Sequence, residues 1–220
     1  MNARKATTYL ALTAALMALG STAWAAKPTP HQLSLAASPT KVVYGGSTTL
    51  LGRLTGKNNA GQAITVQQDP YPFGTFVSLG KVVARADGTY SFVATPKVNT
   101  RYRTNAKTKS PATSPTVLVL VAPRVSRHVS DTTPTAGQKV RFYGRVTPVH
   151  GGQLVYVQRR RKDGTWGNVA QATLVDDAGG AFSKYSVKVK VRRSAVYRVS
   201  KPADLDHARG RSRTIALHAH

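Results

Sequence analysis

The 220-residue sequence contains no cysteine and no glutamate. Without cysteine there is no disulfide framework, thiolate nucleophile, zinc ribbon, iron–sulfur cluster or lipid-anchor cysteine. Without glutamate the acidic complement is eight Asp. Asp favours turns where Glu favours helices, which argues against a helical protein. Beyond the first twenty residues no apolar run is long enough to cross a bilayer. What the chain has in excess is positive charge: 32 Lys and Arg set against those Asp give a formal net charge of +24. A hydrophobic content of 41% is too high for a wholly disordered chain.

The first residues have the order of a secretory signal peptide. Arg4 and Lys5 precede an apolar stretch from Thr7 to Leu19, and Ala23-Trp24-Ala25 supplies the small residues before a cleavage point. The expectation is a signal peptide over residues 1–25 and a linker over 26–32 that opens on Lys27-Pro28-Thr29-Pro30. The C-terminal residues carry neither a sorting motif nor an apolar tail. The expected product is therefore secreted, without a membrane span after signal cleavage, and extracellular or held to the cell surface non-covalently.

Internal repetition organises the remainder. Gly45 and Gly52 frame a segment followed by Arg53-Leu54-Thr55, and Gly137 and Gly144 frame another followed by Arg145-Val146-Thr147. Gln62-Ala63-Ile64-Thr65-Val66-Gln67 matches Gln153-Leu154-Val155-Tyr156-Val157-Gln158, and Gly74-Thr75-Phe76 matches Gly164-Thr165-Trp166. Gly88-Thr89-Tyr90-Ser91 aligns with Gly180-Ala181-Phe182-Ser183, Tyr102-Arg103 with Tyr197-Arg198, and Ser114-Pro115-Thr116-Val117 with Ser212-Arg213-Thr214-Ile215. The order is kept throughout, so a tandem duplication is expected, with domains over 33–122 and 123–220.

Each copy reads as about seven short strands rich in Val, Thr and aromatics, led by Leu33–Ala37 or Val125–Val129. Tyr185 to Arg192 alternates strictly, which puts Val187, Val189 and Val191 on one face and Lys188, Lys190 and Arg192 on the other. Asp87-Gly88 and the run Asp176 to Gly180 are turn signals. The expected core of the first copy is Leu50, Leu54, Ile64, Val66, Phe76, Leu79, Tyr90, Phe92 and Tyr102, and Trp166 takes the place of Phe76 in the second. The fold class is all-β: two tandem immunoglobulin-like antiparallel β-sandwiches.

The Gly-x-Arg strand pairs, the Asp-Gly-x-aromatic-Ser hairpin and the Thr-x-Tyr-Arg before a closing Ser-x-Thr-Val strand resemble bacterial immunoglobulin-like repeats of exported, actinobacterial-type surface proteins. The resemblance implies an adhesive, spacer or ligand-displaying role, and it carries no catalytic residues with it.

Signatures of enzymes are missing: no Gly-x-Ser-x-Gly, no phosphate-binding Gly-rich loop and no His-Glu-x-x-His. Asp87, Asp163, Asp176 and Asp177 read as turn formers. Asp204, Asp206 and His207 form the densest polar cluster and, with Asp176 and Asp177, present oxygen ligands for calcium. Their spacing matches no ligand pattern, and Arg209, Arg211 and Arg213 lie close enough in sequence to neutralise them. Neither a metal nor a cofactor is assigned, and the chain is expected not to be an enzyme. His31, His128, His150 and His207 read as scattered, exposed loop residues. Tyr71 and Phe73, set around Pro72, read either as a stacking platform for a neutral carbohydrate or peptide or as a proline-stiffened cap.

The charge is spread over both copies. From Lys27 the first copy has 11 basic and 2 acidic residues, net +9, and the second has 19 and 6, net +13. Arg101, Arg103, Arg159, Arg160, Arg161, Lys162, Lys188, Lys190 and Arg192 are the candidate polyanion-binding residues, with an anionic cell-wall polymer or acidic glycan as partner. Passive solubility and a spacer role remain open, because Lys on strand faces also prevents sheet-to-sheet aggregation. Nucleic acid is disfavoured by export and by the lack of a cluster of exposed aromatics interleaved with the cations to stack bases.

Overall fold

The structure is a computed structural model that describes residues 30–220. The expected signal peptide and residues 26–29 of the expected linker lie outside the described residues. Among the described residues the regular elements are strands, and no helix is long and apolar enough to cross a membrane. In the first half these are β1 (Gln32–Leu33), β2 (Ala36–Ser38), β3 (Lys41–Val43), β4 (Thr48–Thr55), β5 (Ala63–Pro70), β6 (Val77–Val83), β7 (Thr89–Ala94), β8 (Thr100–Ala106), β9 (Ala112–Thr113) and β10 (Val117–Ala122). The second half has β11 (Arg124–Val125), β12 (His128–Val129), β13 (Lys139–Thr147), β14 (Leu154–Arg160), β15 (Trp166–Thr173), β16 (Val175–Asp176), β17 (Ser183–Lys190), β18 (Ala195–Lys201), β19 (Gly210–Arg211) and β20 (Ile215–Leu217).

Four sheets result. In the first half β1, β4, β2 and β7 form one, and β3, β10, β8, β5, β6 and β9 the other. In the second half β11, β12, β13, β17 and β16 form one, and β15, β14, β18, β19 and β20 the other. Pairing is antiparallel except between β10 and β3, which run parallel with Val121 opposite Val42. The expected leading strands are each interrupted: Leu33–Ala37 divides between β1 and β2, and Val125–Val129 between β11 and β12.

Two separate apolar cores explain the sheets. Leu50 and Leu54 from β4 meet Ile64, Val66, Tyr102 and Val119 from the sheet that holds β5, β8 and β10. Val140, Phe142 and Val146 from β13 meet Val155, Val157, Tyr197 and Val199 from β14 and β18. Side chains alternate across a strand, so these apolar residues fall on the shared inner face and their neighbours face solvent. Each fully buried large side chain contributes roughly 1.5–3 kcal/mol.

Two expectations about aromatics are corrected. Phe76 and Trp166 belong to neither core. Arg103 and Arg198 cover their rings at 4.0 Å in each case, so the aromatic surface is capped by a guanidinium and not by apolar neighbours. Sequence matching sets Phe182 opposite Tyr90, but the strand register pairs Gly52 with Tyr90 and Gly144 with Tyr185. The Tyr90 and Tyr185 hydroxyls donate to the carbonyls of Ser34 and Ser126 at 2.5 and 2.8 Å. Tyr185, three residues beyond Phe182, therefore holds the Tyr90 position.

Candidate anion-binding face

The solvent side of the β13–β17 pair collects cations. Opposite one another lie Lys139 and Lys190, Arg141 and Lys188, Tyr143 and Ser186, and Arg145 and Lys184. Each of these side chains alternates with a residue of the core, such as Val140, Phe142, Val187 or Val189, so inner-face burial drives all eight outward. Like charges directly opposite each other in a sheet cost up to about 1 kcal/mol per pair. A bound anion relieves that cost.

Aromatic rings lie between the charges. The Arg141 guanidinium sits 4.7 Å from the centre of the Tyr143 ring, and His128 of β12 stacks on the same ring at 5.4 Å. Arg145 and Lys184 cover Phe182 at 4.3 and 5.6 Å. Together Arg141, Tyr143, Arg145, Lys184 and His128 line an open groove of about 820 Å³ with Val175 and Thr173 at one side. Asp177 bonds Lys184 at 2.5 Å, and this hydrogen bond holds its carboxyl below the ordinary value. The expected lack of an exposed aromatic cluster among the cations is thus modified: two half-buried rings, Tyr143 and Phe182, lie between basic residues here. The missed residues, Arg141, Tyr143 and Arg145, carry a period-two signal in the sequence, but only the register shows what stands opposite them.

The candidate residues do not form one patch. Lys188 and Lys190 belong to this face, and Arg192 follows it as an exposed residue. Arg159 and Arg160 end β14, a strand of a different sheet. Arg160, Arg161 and Lys162 line a second, shallower cleft of about 300 Å³ together with Arg193. Arg101 and Arg103 lie on β8 in the first half. Arg103 is half-buried and donates to Gln67 Oε1 at 2.7 Å, and Arg101 lies over Phe73 at 4.2 Å.

The Tyr71–Phe73 segment is tied in place. Asp69, itself buried, accepts from the amides of Gly74 and Thr75 at 2.9 and 3.2 Å, and Tyr71 donates its amide to Asn99 O. The Tyr71 and Phe73 rings meet edge to face at 5.6 Å, and Arg101 occupies the Phe73 face.

His150 and His207 are buried, not exposed, with only 5% and 2% of their surface accessible. Their rings meet at 4.9 Å beside Lys201, which is fully buried and paired with Asp204. Burial is the main cause that lowers the pKa of His150. Burial opposes ionisation of Asp204, yet the Lys201 ammonium, Asp206 and the His207 amide hold its carboxyl well below the usual range. His150, Asp204, Asp206 and His207 each bring one donor atom to within 4.8 Å of the others. Asp176 and Asp177 are engaged elsewhere, by Ser183 at 2.5 Å and by Lys184.

No protein-family model matches the sequence, and no curated protein matches it. Among solved structures the chain is similar to the crystal structure of red sea bream transglutaminase, at 13% identity with a TM-score of 0.44. That match covers 86% of this chain and 31% of the transglutaminase.

Proposed function

We propose that this chain is an exported, non-catalytic protein of two tandem immunoglobulin-like sandwiches that holds an anionic cell-envelope polymer or acidic glycan on the β13–β17 face. The carrying observation is the register that sets Lys139 and Arg141 opposite Lys190 and Lys188 with Arg145 and Lys184 beyond. A row of cations two residues apart along each strand suits a polymer with regularly spaced phosphates or carboxylates. Tyr143 and His128 add flat surface on which a sugar ring can stack. The tandem reading is supported by contacts that recur in both halves. Arg103 donates to Gln67 as Arg198 does to Gln158. Likewise, Ser114 Oγ accepts from the Thr104 amide as Ser212 Oγ does from Val199. A neutral ligand on the Tyr71–Phe73 segment has less support, since Arg101 already covers Phe73.

Retention on immobilised teichoic-acid-type polymer or heparin, read as the salt concentration needed for elution, tests the reading. The Arg141→Gln, Arg145→Gln, Lys188→Gln, Lys190→Gln variant should elute at far lower salt, because screened charge is the source of binding. The Arg160→Gln, Arg161→Gln, Lys162→Gln variant should move much less. Unchanged elution of the first variant overturns the proposal. Stronger retention on single-stranded DNA than on both polymers would reassign the face to nucleic acid.

A further inference from the structure

We infer that His150, Asp204, Asp206 and His207 form a binding site for a divalent transition cation of the zinc type at the junction of the two halves. Two imidazoles meet at the centre of this group. His150 Nδ1 lies 2.9 Å from the carbonyl of Pro148, and His207 Nε2 lies 3.0 Å from the carbonyl of Lys97. A carbonyl only accepts, so each ring donates one N–H to the backbone and turns its other nitrogen inward, where the neutral ring presents a lone pair. No described residue donates to either inward nitrogen, although both are buried.

These nitrogens face carboxylates. His207 Nδ1 stands 3.0 Å from Asp206 Oδ1, and His150 Nε2 stands 3.5 Å from Asp204 Oδ2. Lone pairs brought this close repel unless a proton or a metal ion lies between them, and either would join the imidazole to the carboxylate. Four donors around zinc at its usual bond length stand about 3.3 Å apart, so a cluster within 4.8 Å closes on the ion through small side-chain movements. Two imidazole nitrogens and two carboxylate oxygens suit zinc or cobalt better than calcium, which prefers oxygen alone. Fixing each ligating imidazole through its second nitrogen is the arrangement that orients histidine toward a metal. Lys201 pairs with the same Asp204 Oδ2 that faces His150, and one divalent ion takes the group of Lys201, Asp204 and Asp206 from one net negative charge to one net positive charge, with half-exposed Asp206 on its solvent side.

The position gives the ion a mechanical consequence. The loop from Pro202 to Arg209 carries three of the four ligands and also bonds the first half: Asn99 donates its amide to Asp206 O, and Ala208 donates to Val121 O, both at 2.8 Å. A metal that fixes His207 therefore stiffens the junction.

The test uses the full chain carrying His218→Gln and His220→Gln, which removes the terminal pair of imidazoles as a competing site. Cobalt(II) is titrated as the probe, followed by zinc. Expected are one equivalent of cobalt with the visible absorption of four-coordinate geometry, its displacement by zinc, and slower amide exchange over residues 203–208. Asp206→Asn, at the most exposed ligand, and His150→Gln should each weaken binding by more than about 100-fold, beyond the usual cost of losing an outer-shell partner. Absence of saturable binding in the parent, or parent-like binding in Asp206→Asn, overturns the site.

Discussion

Two strand pairs of this protein share a frame and differ in what they show to solvent. β4 with β7 and β13 with β17 each place a glycine opposite a buried tyrosine whose hydroxyl reaches a serine carbonyl. Counting outward from that point, Thr49 and Val93 stand opposite each other where the second half has Arg141 and Lys188. Leu51 and Ser91 stand where it has Tyr143 and Ser186, and a 2.9 Å bond joins Ser47 to Thr95 where it has Lys139 and Lys190. Only Arg53 is a cation common to both, at the place of Arg145. Inner-face residues are held to apolar character by the core, but outer-face residues are free to vary, so surface chemistry changes while the fold is kept.

The largest effect should come from moving the charge. In the chain whose β13–β17 face carries the Gln replacements, Ser47→Lys, Thr49→Arg, Val93→Lys and Thr95→Lys recreate the ladder on β4 and β7. At about 1 kcal/mol per cation near an anionic surface, affinity for the polymer should rise by roughly a thousandfold. A graft that leaves affinity low would show that the groove with Tyr143 and His128, and not the charge alone, makes the site.

Next in size is the tyrosine contact. Tyr90→Phe and Tyr185→Phe should each lower stability by about 1–3 kcal/mol in urea unfolding, because each leaves a part-buried carbonyl without its donor. Tyr90→Phe should cost more, since its hydroxyl also meets Thr104 Oγ1 at 2.7 Å. Equal losses would mean that the second contact contributes nothing.

Alkaline pH provides a gentler probe. Burial, tempered by the Thr100 hydroxyl, raises the Tyr102 pKa to about 12. A phenol whose folded value lies above its unfolded value near 10 contributes stability that is full below pH 10 and is lost as pH rises toward 12. Urea midpoints should be flat up to pH 10 and fall beyond it, and Tyr102→Phe should make that fall shallower. The smallest effect is expected at Asp177→Asn, which removes the carboxylate on Lys184. As a solvent-screened pair it should leave the urea midpoint almost unchanged, with polymer elution moving slightly to higher salt.

Much of this was legible in the residues. The alternation from Tyr185 to Arg192 puts Lys188 and Lys190 outside, and the Gly-framed segments give the strands that carry Leu50, Leu54 and Phe142. The same alternation runs through Arg141-Phe142-Tyr143-Gly144-Arg145, yet its meaning depends on a partner strand some forty residues away. Phe76 and Trp166 look like core because large aromatics usually are. They lie outside both cores, each covered by a guanidinium from the strand one place further across the sheet, Arg103 on β8 and Arg198 on β18.

Local order along the chain was enough to set strand, turn and charge, because alternation, glycine and proline act within a few bonds of themselves. The meeting of His150 with His207, and of β13 with β17, was decided only when the sheets closed over their cores. Such pairings depend on which distant segments share one buried layer, and no run of neighbouring residues carries that information.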